Sequence, residues 1–136
     1  MKQVVAVLIM SLLSVLPARA QDQRSAEVVG TIQSQLDAFQ KDDFAKAFTF
    51  ASPNIKRLFG NPTRFGQMVR NGYPMVWRPS EVQFLEFRDR GGQISQLVLF
   101  RDANGVPIVL EYFMIQTEDG WQIDGVSPVR QPDVAA

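Results

Sequence analysis

Side chains able to do chemistry gather in one eight-residue stretch, Gly72-Tyr73-Pro74-Met75-Val76-Trp77-Arg78-Pro79. Tyr73 and Trp77 each join a large apolar body to a polar tip, and Arg78 adds a planar fork of donors. Pro74 and Pro79 stiffen the stretch and keep the residues before them extended. The combination fits the mouth of a ligand site or a protein contact. It equally fits a lid in which Tyr73 and Trp77 cover the core while Arg78 pairs with a carboxylate. Glu111 stands alone in the apolar run Val109-Leu110-Glu111-Tyr112-Phe113. A carboxylate in such surroundings must be paired or must bind its proton more tightly, which would equip it as an acid or base. Asp124 invites the same reading. The expected register puts it several residues from Glu111, so the two do not form a dyad.

Other chemistries are excluded by composition. The 136 residues contain no histidine and no cysteine. A Ser-His-Asp or Cys-His nucleophile is impossible within the chain, and a zinc or copper site lacks its usual ligands. Asp102, Asn104, Gly105 and Glu111 match four positions of a calcium loop, but Phe100 stands where the first ligand belongs and strands flank the loop. Asn104-Gly105 is better read as a hairpin turn. No Gly-rich phosphate loop opens a helix, and the sequence implies no cofactor and no metal. No catalytic residue is assigned.

The N-terminal twenty residues have the build of a secretory signal: Lys2, the apolar Val4–Leu16, the breaker Pro17 and the small-residue site Ala18-Arg19-Ala20. That apolar segment is shorter than the roughly 20 residues a membrane span requires. The sequence therefore predicts cleavage after Ala20, no stable membrane anchor, and a periplasmic or secreted domain over residues 21–127 with a flexible tail over 128–136. Loss of Lys2 and Arg19 leaves 12 basic against 14 acidic residues, a net charge of about −2. That balance leaves no electrostatic footprint for nucleic acid. Lys56-Arg57 is the only adjacent basic pair, and the helical exteriors read as mixed-charge surface.

Helices must position these residues in the first half. Val28, Ile32, Leu36 and Phe39 make one apolar stripe on a helix from near Ala26 to Lys41, capped by Ser25 or Asp22. Asp42 is the expected cap of a second helix carrying Phe44, Ala47, Phe48 and Ala51. Ser52-Pro53 to Gly60 and Asn61-Pro62 to Gly72 each have a proline start and a glycine stop. Ile55, Leu58 and Phe59 should face inward on the first of these, and Phe65, Met68 and Val69 on the second. The phenylalanines at 39, 44, 48, 50, 59 and 65 read as core.

From Ser80 the apolar period changes to two. Turn signals at Gly91-Gly92, Asn104-Gly105 and Asp119-Gly120 divide the segment into four strands near 81–89, 93–102, 106–117 and 121–127. With even loops, one sheet face collects Val82, Phe84, Leu97, Leu99, Ile108, Leu110, Tyr112, Met114, Trp121 and Ile123. The other collects Leu85, Phe87, Val98, Phe100, Val109, Phe113, Ile115 and Val126, interspersed with Gln83, Gln96, Glu111 and Asp124. A bulge would shift this assignment. Both faces are apolar while short helices cover one, so a homodimer through the other is expected.

The stretch Phe44-Ala45-Lys46-Ala47-Phe48-Thr49-Phe50-Ala51-Ser52-Pro53 resembles part of an exported proteobacterial family. So do Phe65-Gly66-Gln67-Met68-Val69-Arg70, the Gly72–Pro79 segment and Trp121-Gln122-Ile123-Asp124-Gly125-Val126. The family is catalogued as domain of unknown function 4864, and the resemblance covers nearly all of residues 21–136. That family in turn is similar to the cone-shaped α+β superfamily of nuclear transport factor 2 and the ketosteroid isomerases. The resemblance implies N-terminal helices packed on a curled four-stranded antiparallel meander, often a pocket in the cone, and often a dimer across the sheet. The isomerase branch works with a tyrosine and two acids in the cone, roles the resemblance does not align with Tyr73, Glu111 or Asp124.

The combined expectation is an α+β, cell-envelope binding domain for a small ligand or a protein, with its surface near Tyr73, Trp77, Arg78 and Glu111. The alternative is a small-molecule enzyme of the cone fold using carboxylate acid-base chemistry.

Overall fold

The computed structural model describes residues 16–130, with side chains from residue 23 onward. Residues 1–15 of the expected signal peptide and residues 131–136 of the expected tail lie outside the described residues. Five helices precede four strands: α1 (Leu16–Gln40), α2 (Phe44–Thr49), α3 (Pro53–Phe59), α4 (Pro62–Gly72), α5 (Pro74–Trp77), then β1 (Glu81–Arg90), β2 (Gln93–Arg101), β3 (Pro107–Thr117) and β4 (Gly120–Pro128). The strands form one antiparallel meander in the order β1-β2-β3-β4, and the helices pack against its curled inner face. The fold is α+β, as the sequence predicts, and all four strands fall within about two residues of their expected bounds.

The α1 stripe is buried as its spacing requires, with Val28, Ile32, Leu36 and Phe39 at most 3% exposed. The helix starts at Leu16 rather than near Ala26. Residues 18–26 contain neither proline nor glycine, and Pro17 lies in the first turn, where its missing N–H is not needed. Asp42 is not the cap of α2. It sits at φ 54°, in the left-handed turn between α1 and α2, a region Asp tolerates better than most residues. Asp43 caps instead, accepting from the Lys46 N–H at 3.1 Å. Ser52 and Asn61 cap α3 and α4 as expected. The 72–79 stretch is not wholly extended, because four residues close the short helix α5. The residues before its two prolines, Tyr73 and Arg78, do stay outside helical geometry, with ψ of 56° and 70°.

The strand register corrects the expected faces. Gly91-Gly92 makes the two-residue turn, pairing Arg90 with Gln93. A bulge at Leu85–Glu86 then shifts the pairing to Phe84↔Val98 and Val82↔Phe100. The next loop pairs Arg101 with Pro107 across an odd number of residues, which restores the parity of β3. So β2 alone is inverted: Val98 and Phe100 face the helices at 0% exposure, and Leu97 and Leu99 lie on the outer face. The inner-facing Gln96 is 1% exposed and donates to the Leu85 carbonyl freed by the bulge, at 3.1 Å. A second bulge leaves Asp124 unpaired between Ile123 and Gly125, and it turns Val126 inward opposite Tyr112. Phe87 is also turned inward by the first bulge, opposite Gln96.

The core closes around Phe65, whose ring lies 5.9 Å from Phe39, 5.3 Å from Phe48 and 5.8 Å from Phe59. Gly66 allows this approach: a Cβ there would lie 2.7 Å from the Phe44 ring. The open edge of β4 is occupied by the α2–α3 junction. Ile123 donates to the Phe50 carbonyl and Ser52 donates to the Ile123 carbonyl, both at 2.8 Å, so Ala51 runs parallel to the strand.

Candidate functional site

Between the helices and the inner sheet face lies a cavity of about 250 Å³. Gln35 and Phe39 of α1, Phe65, Met68 and Val69 of α4, and Val76 of α5 form its helical wall. Tyr112, Ile123, Gly125 and Val126 form its floor, and Ile55, Leu58 and Phe59 of α3 border its opening, with Tyr73 contributing from the α4–α5 junction. Leu58 was expected inside. It is 73% exposed while still touching the cavity, because α3 has only seven residues and none is fully buried.

No charged side chain lines this cavity. Its polar groups are Gln35, Tyr73 and Tyr112. The Gln35 amide is committed to the Ala47 carbonyl at 3.1 Å, which ties α1 to α2. Tyr112 is 1% exposed. Burial, and to a lesser extent the neighbouring Tyr73, push its phenol well above the ordinary value. No protein hydrogen bond to this hydroxyl is found among the described residues. It stays protonated across the physiological range and can act as a donor. Sequence reasoning placed Tyr112 on the inner face but did not single it out, because one inward tyrosine in an apolar strand looks like any core aromatic.

The four residues expected to mark the functional surface are not brought together. Tyr73 lines the cavity. Trp77 and Arg78 turn instead toward the α1–α2 corner. The Trp77 Nε1–H donates to Asp42 Oδ1 at 2.9 Å, and Arg78 donates to the same oxygen at 2.9 Å and to the Phe39 carbonyl at 2.7 Å. The guanidinium carbons of Arg78 and Arg70 lie 4.3 and 4.9 Å from the Trp77 ring centroid. Trp77, then Arg78, hold the Asp42 carboxyl below its ordinary range. Arg78 thus has its carboxylate, as the lid reading required.

Glu111 lies on the outer face, where it pairs with Leu97 across the sheet. It accepts from the Ser95 hydroxyl at 2.7 Å and lies 3.6 Å from Arg88. Asp124, at the β4 bulge, accepts from the Ser52 hydroxyl at 2.7 Å and the Asn54 amide at 3.3 Å. Neither lines the cavity. Asp102 accepts from the backbone N–H groups of Asn104 and Val106 at 2.9 Å each, and Gly105 takes φ 80°, so that stretch is a hairpin turn. No group of three or more acidic side chains placed to hold a metal ion is found among the described residues.

Fold and site together define a small α+β domain that holds an uncharged, largely apolar cavity against an antiparallel sheet. The chain belongs to the family described as Domain of unknown function (DUF4864), which matches residues 21–136. Comparison with curated proteins and with solved structures finds no match.

Proposed function

We propose that this is an exported, non-enzymatic binding domain whose cavity takes a small, mainly apolar molecule carrying one neutral hydrogen-bonding group. The observation that carries this is an apolar cavity with no charged lining residue, on whose floor Tyr112 lies with no protein hydrogen bond to its hydroxyl among the described residues. Binding pockets combine apolar walls with a few converging polar groups. At about 250 Å³ this one lies just under the usual size for drug-like ligands, so its occupant is a single ring system or chain segment. A ligand carbonyl or hydroxyl paired with the Tyr112 hydroxyl would contribute about 0.5–1.5 kcal/mol, the net worth of one neutral hydrogen bond. The sequence resemblance to the nuclear transport factor 2 superfamily implies a pocket of this kind. Acid-base chemistry would need Glu111 or Asp124 at the cavity, and both lie elsewhere.

Export is supported by the signal-like segment and by a family match that begins at Gln21, directly after Ala20. A homodimer through the outer sheet face is favoured by its half-buried apolar strip of Leu99, Val109, Phe113 and Ile115, which no helix covers. Native mass spectrometry of protein isolated from the cell envelope reads all three claims. The expected species begins at Gln21, has twice the chain mass, and releases a small apolar molecule on denaturation. A chain beginning at Met1 refutes export, a monomer at tens of micromolar refutes the dimer, and a ligand-free protein weakens the cavity reading.

The cavity has its own test in solution. An uncharged fluorescent naphthylamine should bind wild type and Tyr112→Phe alike. Carbonyl- or hydroxyl-bearing ligands should bind Tyr112→Phe roughly 3–10-fold more weakly, the scale of one neutral hydrogen bond. Equal affinity for every ligand would remove Tyr112 from recognition, and no probe uptake by wild type would sink the cavity reading.

A further inference from the structure

The charge of the helical half is segregated. From Phe44 to Ser80 there are six basic residues, Lys46, Lys56, Arg57, Arg64, Arg70 and Arg78, and no acidic one. The exteriors of α2 to α5 are therefore not the mixed-charge surface expected from overall composition; that description fits α1. Arg78 is paired with Asp42. No carboxylate within ion-pair distance of Lys46, Lys56, Arg57, Arg64 or Arg70 is found among the described residues.

Two of these cations, Lys56 and Arg57, lie on α3 with the cavity-lining Ile55, Leu58 and Phe59. At 100° per residue, Ile55, Leu58 and Phe59 share one side of α3, and Leu58 is exposed together with Arg57, while Lys56 is half-buried. Leu58, 73% exposed, is the most exposed large apolar side chain of the described residues, ahead of Val106 at 51% and Leu85 at 42%. Of these three, only Leu58 touches the cavity. An apolar side chain at a pocket's mouth, edged by basic groups with flexible stems, has the build of a surface that settles into a lipid interface. The apolar group enters the acyl boundary while the cations reach the headgroups.

We propose that α3 docks reversibly on an anionic phospholipid bilayer, so that the cavity receives its ligand from the membrane and not from water. This rests on the cavity reading above and adds to it the source of the ligand: a neutral, membrane-dissolved molecule with one hydroxyl or carbonyl. The partner is fixed by charge complementarity, since the domain as a whole is slightly acidic and would be repelled by an anionic surface in most other orientations. No helix among the described residues is long and apolar enough to cross a membrane, so the contact is peripheral.

The test uses protein isolated from the cell envelope and two sets of vesicles, phosphatidylcholine alone and phosphatidylcholine mixed with phosphatidylglycerol. Flotation should show binding to the mixed vesicles only, weakening as salt is raised. Lys56→Glu with Arg57→Glu should lower affinity for the mixed vesicles by about thirtyfold or more, and Leu58→Ser by about tenfold. The basic-pair variant, whose residues do not line the cavity, should retain the wild-type affinity for the naphthylamine probe in solution, which shows that fold and cavity are intact. If the double reversal does not fold, Lys56→Gln with Arg57→Gln takes its place with a smaller loss. Equal binding to both vesicle types, or no loss in the basic-pair variant, overturns docking through α3 and leaves the cavity reading standing. Vesicle binding without probe uptake by wild type removes the cavity reading, and capture from the membrane falls with it.

Discussion

Replacing Trp77 by alanine is expected to cost about 3 kcal/mol of stability, near the lower end for losing a packed aromatic, and to lower the melting temperature by roughly 10 °C or more. The indole packs against the core from its half-buried position, is flanked by Arg70 and Arg78, and donates to Asp42. Removing it takes away the surface both guanidinium groups lie on and one of two donors to that carboxylate. Trp77→Phe keeps the ring and loses only the Asp42 bond, so its cost should be about 1 kcal/mol. Uptake of the cavity probe should survive in both variants, because Trp77 does not line the cavity. A melting temperature unchanged in Trp77→Ala would return this tryptophan to the surface as a binding group.

The acid limb of stability should carry the signature of the same cluster. Trp77 and Arg78 depress the pKa of Asp42 below its ordinary 3.8. A carboxylate depressed in the folded state stabilises above its unfolded pKa, and that contribution is lost as pH falls through the lowered folded value. The stability gap between wild type and Trp77→Ala should accordingly narrow below about pH 4.

Ser52→Ala is the second large expected loss, about 2–3 kcal/mol. Ser52 is fully buried. Its hydroxyl accepts from the Ile55 N–H at 3.2 Å, starting α3, and donates to Asp124 at 2.7 Å. An N-cap is worth about 1 kcal/mol, and a hydrogen bond to a charged group about 1.5–3 kcal/mol. The two share one oxygen, so the losses do not add fully. Because α3 borders the cavity, probe affinity should fall together with the denaturation midpoint. Asn54→Ala removes only the longer, exposed bond to Asp124 and should cost under about 1 kcal/mol. A Ser52→Ala midpoint within the Asn54→Ala range would show that Asp124 and α3 are held by the backbone bridge to β4 alone.

Ser52 also shows what the sequence can and cannot convey. Its role as a cap is local, written in Ser52-Pro53 ahead of an apolar turn, and the same holds for Asn61-Pro62. Its bond to Asp124 joins residues 72 positions apart, and no local pattern encodes that distance. The sequence therefore offered Asp124 as a paired carboxylate or an acid-base group without naming a partner, and in the structure it fastens α3 to the β4 bulge. Trp77 and Arg78 were conspicuous by type, but their partner is a turn aspartate more than thirty residues earlier.

The sequence by itself determined the α+β class, the order of the first four helices and the four strands, the antiparallel meander and the α1 core stripe. Each of these follows from short-range periodicity and from turn and cap residues. Tertiary structure alone decided which face of β2 is buried, because side chains alternate every residue and a single bulge at Leu85–Glu86 reverses their parity. It also decided the site. The cavity exists only where four helices fail to fill the inner curve of the sheet, and Tyr112 and Tyr73 come to line it through packing that no local pattern in the sequence encodes.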